Sequence, residues 1–207
     1  MTPSLDVQIQ TLLDLGYPAL AGVAPATFRS YVDPLRDLAA DGDLLVVSHR
    51  LVPTVEAVER FDVRGRKGWT DMHDELPTYA TVEGVDVPAT PVYLLRGVGT
   101  GPETLGVRPD DALMIVLAAG RTPLTVDEGV ALVTQVPAVF RDHNAFQALA
   151  TRSGTAPYTK RVPSFWMSKG APRLGWCWAG NPHTWLGAAS AVARLADLSG
   201  AEVALAP

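Results

Sequence analysis

Cysteine occurs once in this chain, at Cys177, so no internal disulfide can form and a disulfide-stapled scaffold is excluded. Lysine is scarce, with three residues beside fourteen arginines, and isoleucine occurs only at Ile9 and Ile115. That bias is of the kind a GC-rich genome imposes and carries no function. Positive charge is also short overall. The formal net charge is −5, without long runs of one sign, so the basic footprint that a phosphate backbone requires is missing and no nucleic-acid partner is expected. The longest apolar runs, such as Ala112–Gly120, fall well short of the roughly 20 residues that span a bilayer, and no membrane partner is expected either. Nor does Met1–Leu15 read as a charged-then-apolar leader. With a lone cysteine, the expectation is a reducing, cytoplasmic location.

What is present is enough apolar sequence, 47% of 207 residues, to bury one core. The chain reads as a single domain, 1–207, with an N-terminal helical part over about 4–40. Ser4 can cap a helix running to about Leu15, with Leu5, Ile9, Leu12 and Leu13 on one face. Pro25 opens a second helical stretch, and Asp33-Pro34 restarts it to about Ala40. Leu44–Val47 and Val92–Leu95 are short, apolar on both faces, and read as buried strands. Val55–Val63 fits either a helical turn or a strand leading into an exposed basic tip at Arg64–Gly68. A helix start is expected at Asp71–Glu75, an amphipathic helix over Pro109–Ala119, and a capping box, Thr125–Glu128, opening a helix to about Gln135. Pro137 starts a further expected helix, to about Ala150. Ser153–Lys160 is a polar loop. Val162–Ser168 and Arg173–Ala179 flank Lys169-Gly170-Ala171-Pro172 as an antiparallel hairpin. Asn181, followed by Pro182, is placed to cap a last helix to about Leu198. Strands and helices mix without a βαβ rhythm, which predicts an α+β fold: a mixed or antiparallel sheet with a C-terminal β-hairpin, packed against several helices.

Two motifs carry little. Gly97-Val98-Gly99-Thr100-Gly101 follows a strand, but its spacing and Pro102 do not make a dinucleotide loop. Asp71, His73, Asp74 and Glu75 do not converge on one point of a helix, so no metal site is expected. His49 and His143 stand in ordinary surface contexts.

The densest chemistry lies in Leu174–Gly187, which holds Trp176, Trp178, Trp185, Cys177 and His183. Alternation sends Leu174, Trp176 and Trp178 to one face and Gly175, Cys177 and Ala179 to the other. Cys177 reads as a buried filler, or as a nucleophile if the Gly180-Asn181-Pro182 turn brings His183 to it. In the first turn of a helix capped by Asn181, His183 would be neutral and hydrogen-bonding, and the free N–H groups there would hold an anion. Arg161 could add a fixed positive charge, with Trp166, Trp178 and Trp185 as walls. A capped helix whose tryptophans plug the core is the equally weighted structural account.

Three stretches, Gly120–Leu132, Arg161-Val162-Pro163 and Leu174–Gly187, resemble an actinobacterial family known only as a domain of unknown function. The resemblance spans about 91–194 and implies relatedness without an activity or cofactor. Further cysteines that it implies near 155–160 and 188–191 are not in this chain. It adds Arg121 and Glu128 to the candidate ligand-binding residues. Both also have plain structural accounts, a loop arginine and a capping-box carboxylate.

Two functional readings stay open. One is a cytoplasmic protein that binds, or as an enzyme acts on, a small anionic metabolite in a pocket at the Trp176–Trp185 corner, with His183 and Cys177 as the catalytic candidates. The other is a non-catalytic interaction or homodimerising domain with the tryptophans as core or interface anchors.

Overall fold

In the computed structural model, which describes residues 1–143, 145–154 and 159–197, the chain before the first strand at Leu44 is helical. Helix α1 (Leu5–Asp14) buries Gln8, Ile9 and Leu12, and α2 (Tyr17–Leu20) and α3 (Pro25–Val32) follow after glycine-containing turns. Ser4 makes no side-chain capping bond. The restart at Asp33 is a single 3-10 turn, Asp33–Leu35, rather than a helix to Ala40. After β1 (Leu44–Val47) come α4 (Thr54–Glu59), the hairpin β2 (Asp62–Val63) with β3 (Arg66–Lys67), and β4 (Trp69–Thr70). The ambiguous Val55–Val63 stretch is thus helix first and strand last, and its basic tip is exposed.

A 3-10 turn, Leu76–Thr78, leads to β5 (Tyr79–Thr81), then to β6 (Val92–Arg96) and α5 (Pro109–Ala118). Next are β7 (Thr122–Pro123), α6 (Val126–Gln135), β8 (Ala145–Gln147) and β9 (Thr151–Ser153). The last segment carries β10 (Arg161–Ser168), β11 (Ala171–Trp178), β12 (Leu186–Ala188), β13 (Ser190–Ala191) and β14 (Ala193–Leu195). One antiparallel sheet has the order β1-β6-β14; a mixed sheet has the order β12-β8-β10-β11-β4, parallel at its two outer pairs. The fold is α+β.

Helix α6 positions the interior. Its Thr125–Glu128 capping box forms as its spacing requires, and all ten of its residues are buried. It packs on β1, while Gly129 gives room to the Phe165 ring of β10, which a Cβ would meet at 2.3 Å. Phe165 in turn stacks on Phe146 at 4.8 Å. The exposed side of β1 is closed by Gln8, which accepts from the Leu45 N–H at 2.7 Å and donates to the Asp43 carbonyl at 2.8 Å.

Three expected helices are not formed. Asp71–Glu75 is a turn, because its carboxylates are drawn to the mixed sheet, Asp71 to Arg173 at 2.5 Å and Glu75 to Arg161. The helix expected from Pro137 is a 3-10 segment, Pro137–His143, after which Ala145–Gln147 is a sheet strand (Asn144 lies outside the described residues). The last helix is replaced by β12, β13 and β14. Its alanines favour helix locally, but each short strand completes an edge, on β8, β7 and β6. Small residues allow this: Gly187 lies so close to Thr100 and Gly101 that a Cβ would meet their backbone oxygens at 2.2 and 2.5 Å. The hairpin itself forms, with Lys169 and Gly170 both at positive φ in a two-residue turn. Of the loop expected at Ser153–Lys160, residues 155–158 lie outside the described residues.

Candidate functional site

Strand β1 is apolar and buried until it ends, and the chain then turns polar as Ser48-His49-Arg50 before α4 begins. Because α6 packs against both β1 and α4, its first turn faces this loop. The juxtaposition fixes Asp127, one residue beyond Val126. The Asp127 Oδ2 accepts from the His49 main-chain N–H at 2.8 Å and lies 2.7 Å from His49 Nδ1, and Oδ1 accepts from the Thr54 hydroxyl at 2.8 Å. The Asp127 side chain is only 10% exposed and sits where a helix N-terminus favours negative charge. The His49 ring is 63% exposed. A carboxylate can only accept, so Nδ1 carries the proton and Nε2 is the nitrogen left to titrate. The hydrogen bond to Asp127 raises the His49 pKa above the ordinary imidazole value, against the opposing effects of partial burial and Arg50.

This pair lies on the wall of a cleft of about 660 Å³. Ser48, Arg50, Thr54 and Tyr93 line it beside the pair, Leu76, Pro77, Tyr79–Thr81 and Val85–Pro88 contribute further segments, and Thr125, Val126 and Thr151 complete it. Three of its hydroxyls are engaged in the framework: Tyr93 donates to Glu128 at 2.9 Å, Thr125 caps α6, and Thr151 accepts from the Val126 N–H at 3.0 Å. Tyr79 is pushed up to about 12 by burial, and its buried hydroxyl has no hydrogen-bond partner among the described residues. Among the described residues no hydroxyl or thiol is hydrogen-bonded to the His49 ring. Among the described residues no group of three or more His, Cys, Asp or Glu side chains is gathered to hold a metal ion.

The residues singled out in the sequence are distributed over separate places. Glu128 is fully buried: Oε1 accepts from Tyr93 and from Arg194 at 2.5 Å, Oε2 from Arg194 and the Thr125 N–H. Arg121 binds Ser190 and the Gly97 carbonyl. Parity divides the hairpin residues. Arg161 lies over the Trp176 ring at 4.3 Å, and Trp176 meets Trp178 edge to face. Trp166 and Cys177 are on the opposite face, where Trp166 covers Gly175 and meets Trp185 edge to face at 6.2 Å. His183 stands against Trp185, not against Cys177, whose thiol is pushed up by burial and hydrogen-bonded to Ser164. Asn181 is in a turn, its N–H donating to the Trp178 carbonyl at 3.1 Å. With no helix after it, the anion site expected from helical N–H groups is not formed. None of these ten residues lines the cleft.

His49 and Asp127 were legible only as parts. A polar triplet directly after a buried strand was one signal, and a capping box with an extra carboxylate at its second helical position was the other. A family model matches residues 11–197. The chain belongs to DUF5701, a family of unknown function. The DUF5701 match covers both the dyad and the whole cleft. No curated protein and no solved structure matches this DUF5701 chain.

Proposed function

We propose that this protein binds a small anionic metabolite in the cleft beside His49 and acts on it by proton transfer, with His49 as the general acid–base and Asp127 as its positioning carboxylate. The observation that carries this reading is an exposed imidazole held by a buried carboxylate on a cleft wall of ligand size. Arg50 adds a second positive group to that wall. The site stands away from the Trp176–Trp185 corner, and His183 and Cys177 take no part in it. The lone cysteine supports a cytoplasmic setting. A thermal-shift screen of wild type and His49→Gln against a metabolite library tests it: a ligand at about 100 times its dissociation constant stabilises by about 2.7 kcal/mol. Hits present in wild type and lost in a folded His49→Gln protein support the reading. Hits that persist unchanged in the variant overturn it.

A second reading, a homodimerising or interaction domain, is favoured by one feature. Helix α5 leaves Met114, Ile115 and Leu117 exposed on its outer side. Light scattering at two concentrations separates the two, since a monomer at high concentration removes the homodimer.

A further inference from the structure

Resting on the cleft reading above, we infer that the ligand is a monocarboxylate with an apolar body. Four charged side chains line the cleft: His49, Arg50, Asp86 and Asp127. Asp127 is engaged by His49 and Thr54, so its charge is not offered to a ligand. Among the described residues Arg50 makes no ion pair, although the neighbouring Ser48 hydroxyl accepts from its main-chain N–H at 3.3 Å and ties down its backbone. One guanidinium and the adjoining imidazole are a natural seat for one carboxylate.

Asp86 restricts the choice further. Its main-chain carbonyl accepts from Arg194 at 3.2 Å, and Arg194 is itself clamped on buried Glu128, so this part of the wall is anchored to α6. A second negative charge on the ligand would meet the Asp86 carboxylate, which disfavours dicarboxylates and phosphate dianions. Three of the N–H groups at the start of α6 that could cradle a phosphate are also taken: Thr125 by Glu128, Val126 by Thr151, and Glu128 by Thr125. Beside the Tyr79 and Thr81 hydroxyls, one stretch of the remaining wall is apolar. Pro53, Val55 and Leu76, with Val85, Val87 and Pro88, form a stretch that suits a short alkyl or aryl chain.

The test is isothermal titration of the full chain with hexanoate, hexanamide, adipate and inorganic phosphate, repeated on Arg50→Gln and Asp86→Asn. The expected result is saturable hexanoate binding, with hexanamide, adipate and phosphate each at least about tenfold weaker. Arg50→Gln should weaken hexanoate about tenfold without changing hexanamide. Asp86→Asn should raise the affinity for adipate several-fold more than that for hexanoate, a selectivity change that misfolding would not produce. No hexanoate binding, or hexanoate binding indifferent to Arg50→Gln, overturns the monocarboxylate. So does phosphate or adipate binding more tightly than hexanoate. In either case the cleft reading is judged separately, by whether the library hits depend on His49.

Discussion

At the scale of single residues, Asp127 orders the site by accepting two bonds from His49 and one from Thr54. Replacing it with Asn keeps the shape and removes the charge. The expected outcome for Asp127→Asn is a His49 pKa that falls towards the ordinary value, read from the imidazole proton shifts in an NMR titration; an unchanged titration would show that Asp127 does not hold the ring. The pair also links stability to pH. The folded-state pKa of His49 is raised, so the protonated pair stabilises the fold fully below the ordinary imidazole value. That contribution is lost as pH rises through the raised value. Because the ring is more than half exposed, solvent screening keeps the effect small. Melts between pH 5.5 and 8.5 should therefore show wild type gaining over His49→Gln at the acid end and converging with it at the alkaline end. A difference that grows with pH would reverse the assignment.

Between elements, the tie that matters most is Arg194 on β14 to Glu128 on α6. Glu128 is wholly buried and the Arg194 side chain is 6% exposed, so removing one partner leaves a charge in a poor medium. Arg194→Met should cost about 3–5 kcal/mol, read as a fall in urea midpoint; Arg194→Met combined with Glu128→Met should recover part of the loss. Packing of α6 against the mixed sheet is tested by Gly129→Ala. Alanine favours helix by about 1 kcal/mol over glycine, yet here the added methyl meets the buried Phe165 ring. Overpacking of about 1–3 kcal/mol wins, and a lower melting temperature is expected. A higher one would mean that Phe165 and Phe146 give way.

For the molecule as a whole, the main apolar core takes residues from Ile9 on α1 to Ala191 on β13, so the N-terminal helices and the C-terminal strands share it. Gln8 closes β1, the Gln135 amide donates to the Gln8 carbonyl at 3.2 Å, and Tyr17 packs its ring in the same core. A single cooperative thermal transition is the expectation for the full chain. A chain of residues 41–197 would lose Ile9, Leu12, Phe28, Val32 and Leu35 from that core. It should melt without a cooperative transition by circular dichroism, and a sharp transition would show that 1–40 is an appendage. Among the described residues no helix is long and apolar enough to cross a membrane.

The sequence by itself determined the features whose signals are local. The Thr125–Glu128 capping box, the Lys169-Gly170 turn, the amphipathic Pro109–Ala118 helix and the buried strands at Leu44 and Val92 each carry their hydrogen-bond partners or periodicity within a few residues. Only the tertiary structure decided the rest. Whether Leu186–Leu195 is helix or strand depends on β8, β7 and β6 offering open edges, and no local propensity records that. The site has the same origin: His49 and Asp127 are 78 positions apart, each ordinary alone, and they become a pair because α6 is buried against β1.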